Sequence, residues 1–260
     1  MTISLPEKEP FSLSAFLISD APARFLLSWV AEFVDTAAFI VLFGIFTAHV
    51  TGNIALAGSA FASSDPQTTV LRLSMLPTFM LSVIVTSLLA RFSRKKGWAV
   101  LPVLLSAEAI SLGVFMVVGL QYSATLIIEG QDELIFPIAV TGVIAMGIQN
   151  ALMKEAASSF TGYFPTTVMT GNFTQFTIDL VHYFSAKLSK QTEETKAEVA
   201  EAVVKIKRTT PLLIGFFLGG TGAAYFVPSA EFWCLSMPLL IVSLLAVAAY
   251  IQAIAKTQNA

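Results

Sequence analysis

Val50-Thr51-Gly52-Asn53, preceded by Phe46-Thr47, and Met169-Thr170-Gly171-Asn172, preceded by Pro165-Thr166-Thr167, are two copies of one polar, glycine-broken stretch in otherwise apolar sequence. Backbone that leaves a helix at membrane depth must find other hydrogen-bond partners, so it survives only inside protein or beside a water-filled cavity. Two such breaks at corresponding places of two halves point to a transporter-type binding site. Each break follows a span that carries an acid or amide, Glu32-Phe33-Val34-Asp35 in the first half and Gly147-Ile148-Gln149-Asn150 in the second. A short segment, a connector and two further spans follow each break. A unit of three spans makes the second copy enter the membrane from the opposite side. The sequence therefore predicts an inverted-topology 3+3 repeat with a pseudo-two-fold axis in the membrane plane.

Composition sets the environment. The chain has 260 residues, 55% hydrophobic and 12% charged, with 21 Phe. A soluble domain carries about 25% charged residues, so this is a polytopic membrane protein, and the lipid bilayer is its first partner. Six runs are long enough to cross at roughly 20 residues each: 25–46, 71–90, 99–120, 134–153, 212–227 and 232–254. Segments 54–62 and 173–185 follow the breaks and read as two short, broken half-helices, the second too polar to face lipid along its length. The fold class is all-α, with six transmembrane helices.

Basic residues give the orientation. With both termini in the cytoplasm, all of the 15 Lys and Arg except Arg72 fall on the inner side, while Asp65, Glu129, Asp132, Glu133 and Glu231 fall outside. The acidic N-terminus lacks a basic region and a cleavage site and reads as a cytoplasmic tail. The expected organisation is a tail at 1–23, a first repeat at 24–121, a periplasmic loop at 122–133, a second repeat at 134–255 and a C-terminal tail at 256–260. Residues 186–207 form a charged, alanine-rich cytoplasmic connector helix with a Glu201/Lys205 pair at i, i+4.

Asp35 with Phe39, the run His49-Val50-Thr51-Gly52-Asn53, Gly147-Ile148-Gln149-Asn150-Ala151 and Met169-Thr170-Gly171-Asn172 resemble the signature of the YoaK-type family, a group of bacterial inner-membrane proteins filed as a domain of unknown function. The resemblance covers residues 23–254. It implies six spans and a bacterial inner membrane, and no established activity. Family members usually read Gly-x-x-Asp ahead of the first break; here Ala31 or Glu32 stands where that glycine would be.

Asp35 and Glu32 lie inside the first span, where an ionisable group is by default a functional-site hypothesis. Their i, i+3 spacing puts both on one helix face, where a shared proton or a bound cation would relieve their repulsion. Glu32 also reads as a snorkelling interfacial residue. Thr51, Gly52, Asn53 and Thr170, Gly171, Asn172 start short helices whose free N–H groups attract anions or carbonyl oxygens; the alternative is that the breaks only cap each other. Gln149 and Asn150 suit a polar site or interhelical hydrogen bonds. His49 is a candidate proton sensor and Glu108 a second buried acid. Gly215, Gly219 and Gly222 form a small-residue face for close packing within the protein, with Gly142 and Gly147 as receivers, or across a homodimer.

With two His and one Cys, Cys234, no metal site, cofactor or internal disulfide is expected. No phosphate loop, nucleophile–base pair or basic patch interleaved with aromatics supports an enzyme or nucleic-acid binding. The reading is a proton-linked transporter of a small polar or anionic solute. The two Thr-Gly-Asn starts are expected to meet near the midplane, with Asp35 carrying the proton or counter-charge and Gln149 and Asn150 opposite. Alternatives are a non-transporting scaffold or sensor and a passive channel.

Overall fold

The computed structural model describes residues 12–129, 135–160, 162–190 and 192–258. Every regular element among them is helical: α1 Leu13–Leu17, α2 Asp20–Val41, α3 Val50–Ala62, α4 Pro66–Lys95, α5 Val100–Glu129, α6 Ile135–Glu155, α7 Met169–Leu188, α8 Glu193–Ala230 and α9 Ser236–Gln258, with 3₁₀ turns at Ala157–Ser159 and Glu231–Leu235. Four helical segments among the described residues are long and apolar enough to cross a membrane: Pro66–Lys95, Val100–Tyr122, Ile135–Glu155 and the composite Glu193–Gln258. Their apolar surfaces are compatible with a lipid bilayer. α2 is not among the four; it carries Asp20, Arg24, Glu32 and Asp35 and forms the centre of the molecule, with Leu27, Val30, Phe33, Val34 and Ala38 all buried.

Local signals explain several helix ends. Asp65 caps α4 by accepting from Thr68 N at 3.1 Å, and Pro66 occupies the first turn, where its missing N–H costs nothing. Thr192 and Thr195 make a capping box at the start of α8. α2 ends at Val41, earlier than the expected 46, because Phe43 (φ 52°) and Gly44 (φ 85°) turn the chain back. The left-handed region is open to glycine without steric cost. The half-helix expectation holds for α3, whose 13 residues span roughly 20 Å. It fails for α7, which has 20 residues and spans roughly 30 Å.

The separate connector helix is also corrected. Its first residues finish α7, and the rest opens the 38-residue α8, which runs through Pro211 without a break. The Glu201–Lys205 pair forms at 2.8 Å, exposed and worth little to stability. The expected loop at 122–133 is helical as far as Glu129; Asp132 and Glu133 lie outside the described residues.

The helices pair across the halves. α2 packs most extensively on α8, in parallel. A Cβ at Gly215 would lie 2.3 Å from the Phe25 carbonyl oxygen, and one at Gly219 would lie 2.4 Å from that of Trp29. Ser28 Oγ donates to Leu212 O at 2.8 Å along the same seam. α6 packs on α4 in the reciprocal way: Ser82 Oγ donates to Ile144 O at 2.8 Å and sits over Gly147, and Arg94 pairs with Glu155 at the end of both helices. The glycine face of α8 thus receives α2. It does not receive Gly142 and Gly147, which instead take Thr47 and Ser82.

α2 and α6, the first helices of the two halves, run antiparallel. Gln149 reaches Leu27 near the start of α2, and Gly142 meets Thr47 just beyond its end. Basic residues gather at one end of the bundle. Arg24 lies over Phe164, Lys154 over Tyr163, and Arg208 beside Gly162. Arg72 lies at the other end, bonded to the carbonyls of Phe43 and Gly44.

Candidate functional site

The first corner, residues 42–49, is closed on Asp35. This side chain is buried, and its Oδ1 accepts from Thr47 N at 2.6 Å, Ala48 N at 2.5 Å and Thr47 Oγ1 at 3.1 Å. Its Oδ2 contacts His49 Nδ1. One carboxylate oxygen therefore satisfies two backbone N–H groups that leave the helical ladder, which is the accounting that buried irregular backbone demands. Asn53 closes the corner from the other side. Its Oδ1 accepts from Phe46 N at 2.9 Å and its Nδ2 donates to Phe46 O at 2.7 Å.

The second corner repeats this construction with different chemistry. Asn172 Nδ2 donates to Pro165 O at 3.2 Å, seven residues back, the same interval as Asn53 to Phe46. Pro165 has no N–H, so the amide's oxygen has no counterpart bond to make there. Thr167 Oγ1 donates to Asn150 Oδ1 at 2.7 Å. Gln149 Nε2 donates to Leu27 O at 2.6 Å and to Thr166 Oγ1 at 3.4 Å. Gln149 and Asn150 thus serve the second corner and do not stand opposite Asp35.

The stronger first clamp predicts an asymmetry between equivalent residues. Asn53→Ala loses two short, part-buried hydrogen bonds and is expected to cost about 2 kcal/mol, against about 1 kcal/mol or less for Asn172→Ala, whose Nδ2 makes only long contacts, to Pro165 O, Val168 O and Met169 Sδ. Thermal unfolding of both variants in detergent measures the difference. Equal losses would show that the two corners are equally tight.

The corners do not meet. The first is tied to Asp35 and the second to Leu27, eight residues apart on α2 and so about 12 Å along its axis. No bond joins one corner to the other among the described residues. Thr51, Thr170 and Gly171 are exposed. Neither Thr caps its helix: the capping positions are His49 and Val168, without side-chain cap bonds. Gly52 is needed locally, because a Cβ there would lie 2.8 Å from the Phe46 ring, whereas Gly171 faces open space. The expected midplane pocket between two Thr-Gly-Asn starts is replaced by two separate polar corners.

At the first corner three ionisable groups come together. Glu32, Asp35 and His49 each offer a ligand atom within 4.8 Å of the others. Glu32 Oε1 accepts from Thr36 Oγ1 at 3.2 Å. The ring of His49 sits edge-on to Phe46 and Phe216, at 5.4 and 6.4 Å between centroids. Counting His and Cys suggested no metal site; the fold instead sets one imidazole beside two carboxylates, a set that can hold a cation. Glu108 is elsewhere, fully buried in α5, with neither carboxyl oxygen hydrogen-bonded; Gln149 Oε1 is likewise unpartnered. Thr36, Phe216 and Gly220, which line the first corner, were not foreseen, since only the α2–α8 contact brings the latter two there. Thr47 and Thr166 were visible as matched positions ahead of the breaks.

The family described as "Protein of unknown function (DUF1275)" matches residues 24–248. No curated protein and no solved structure matches the chain.

Proposed function

We propose a function from one premise: the chain belongs to the DUF1275 family, whose description names no activity, so the geometry of the chain has to supply one. The protein is a six-span membrane transporter of a small polar solute, built as a 3+3 inverted repeat and linked to protons. Its setting is a bacterial inner membrane with both termini in the cytoplasm. The observation that carries this reading is the pair of unwound corners, one after each of two antiparallel helices, with one corner closed on three ionisable side chains. Reciprocal packing of α2 on α8 and α6 on α4 supports the repeat. The one-ended placement of Arg24, Lys154, Arg94 and Arg208, with Arg72 opposite, supports the orientation.

In this mechanism Asp35 is the keystone of the first corner. Its oxygens are used by Thr47, Ala48 and His49, so the proton is carried elsewhere, by Glu108. Both oxygens of Glu108 lie buried without a donor, and a carboxyl in such surroundings is tolerated only when neutralised. α5 and α6 are antiparallel neighbours with Phe115 against Gly142. Two turns along each helix, Glu108 comes level with Gln149, whose Oε1 is likewise unpartnered and can accept a hydrogen bond from the neutral acid.

The test is a panel of labelled amino acids, organic acids, phosphate and divalent cations, offered to proteoliposomes loaded with a pH-sensitive dye. The wild type is expected to move one class of solute together with protons. Glu108→Gln is expected to bind that solute while moving no protons. A panel in which nothing crosses faster than in empty liposomes would remove the reading. So would a Glu108→Gln variant with unchanged proton flux. The saturation of Asn53 and Asn150 by internal bonds favours a second reading, a non-transporting membrane scaffold, and the empty-liposome result is what it predicts.

A further inference from the structure

The first corner has a chemical identity beyond its role in the fold. Glu32 and Asp35 lie one turn apart on α2, and the bonds from Asp35 to Thr47 and Ala48 bring His49 onto the same face. Among the described residues this is the one place where three His, Cys, Asp or Glu side chains offer ligand atoms within 4.8 Å of one another. Phe46 and Phe216 fix the imidazole from two sides. On α8 the position opposite Glu32 is Gly220, where a Cβ would lie 3.2 Å from Glu32 Cγ. The missing side chain leaves the room that the Glu32 carboxyl occupies.

The charge of this group is not balanced from within. Among the described residues no Lys or Arg is ion-paired with Glu32, Asp35 or His49. Two carboxylates in an apolar surround call for positive charge; the single imidazole beside them can balance one of the two, and a bound cation would balance the other. Access is one-sided. The His49 side chain is 31% exposed while that of Asp35 is 1% exposed, so a cation would reach the imidazole first and the aspartate last.

The donor set selects the class. One nitrogen and two carboxylate oxygens suit first-row divalent transition metals. Calcium takes about six to eight oxygens, and copper(I) takes thiolate or thioether sulfur. Three protein ligands leave positions open for water, which suits an ion that must also leave. We infer that Glu32, Asp35 and His49 bind a first-row divalent transition-metal cation such as Mn²⁺, Co²⁺ or Zn²⁺. That this cation is also the transported solute rests on the transport reading above.

The binding test uses the purified full-length chain in detergent. Co²⁺ is titrated while its visible absorption bands are followed, and Mn²⁺ and Zn²⁺ are titrated by calorimetry. One saturable equivalent is expected, with bands of a nitrogen- and oxygen-ligated ion, undiminished by a large excess of Mg²⁺ or Ca²⁺. Loss of an outer-shell partner already weakens metal sites by about 10–100-fold, so Glu32→Gln and His49→Ala are each expected to weaken binding on the order of 100-fold. Both leave the Asp35 bonds to Thr47 and Ala48 in place, so they are the informative variants should Asp35→Asn fail to fold. No saturable Co²⁺ binding, or equal binding by a Glu32→Gln/His49→Ala double variant, would overturn the inference. The two readings separate in liposomes. Failure of metal binding with Glu108-dependent flux of another solute refutes only the metal site. Metal binding without any flux upholds the site and refutes transport.

Discussion

Gly219→Leu is expected to yield no folded protein. A Cβ at this position would lie 2.4 Å from the Trp29 carbonyl oxygen and 3.1 Å from Phe33 N. Both are backbone atoms of a helix, which cannot step aside as a side-chain end can. The added side chain would push α8 off α2 along the seam that also holds Ser28 to Leu212 O. Overpacking alone costs about 1–3 kcal/mol. Separating the most extensive helix pair of the molecule adds to that and reaches the range above about 4–5 kcal/mol that marks exceptional substitutions. Gly222→Ala is the control. Its Cβ would meet the Phe33 ring at 3.5 Å, an ordinary contact, and alanine is the better helix former by about 1 kcal/mol. The measurement is the monodisperse fraction on size exclusion together with thermal unfolding. A Gly219→Leu protein that elutes and melts like the wild type would show that the helices do not touch backbone to backbone.

Asp35→Ala is expected to have the second largest effect. It leaves the N–H groups of Thr47 and Ala48 without their partner inside the protein. Each unsatisfied buried donor costs about 1–3 kcal/mol, so the corner should lose roughly 3–5 kcal/mol and fray. Asn150→Ala, at the matching place of the second half, loses the hydroxyl bond from Thr167 and its own donation to Met146 O, a carbonyl already inside α6, and should cost about 1–2 kcal/mol. Unfolding of the two variants, with hydrogen exchange at the Thr47 and Ala48 amides, gives the comparison. If Asp35→Ala lost no more than Asn150→Ala, the acid would not be what closes the first corner.

Parts of this architecture could be read from residues alone, for identifiable reasons. The long apolar runs marked α4, α5, α6 and α9, because hydrophobic length is a one-dimensional property. The duplicated Thr-Gly-Asn marked both corners, because glycine and amide side chains are what unwound apolar backbone requires. The roles within the motif were not legible. Threonine looked like a cap, yet Thr51 and Thr170 face outward, and it is Asn53 and Asn172 that reach seven residues back to clamp the loop. A backward bond of that length depends on the turn at Phe43 and Gly44, which no periodicity announces.

The relation of the corners to each other was also hidden. Equivalent positions in a duplicated chain suggest that the copies touch, but antiparallel α2 and α6 carry them to different levels of the bundle. Gly215 and Gly219 signalled close approach without naming the partner, since any helix with a smooth face fits a glycine groove. His49 illustrates the limit of counting. One histidine argues against a metal set until the fold supplies two acids beside it.

The cross-pairing of α2 with α8 and of α4 with α6 has a consequence for how the molecule could be taken apart. The N-terminal half lends α2 to α8 and the C-terminal half lends α6 to α4, so neither half owns a complete scaffold. A chain severed between α5 and α6 would give two fragments with vacant docking seams, Gly215 and Gly219 in one and Ser82 in the other. Made separately they should be degraded; made together in one cell they should reassemble. Any rocking of the structure would likewise divide it into these two cross-paired sets and not into its N- and C-terminal halves.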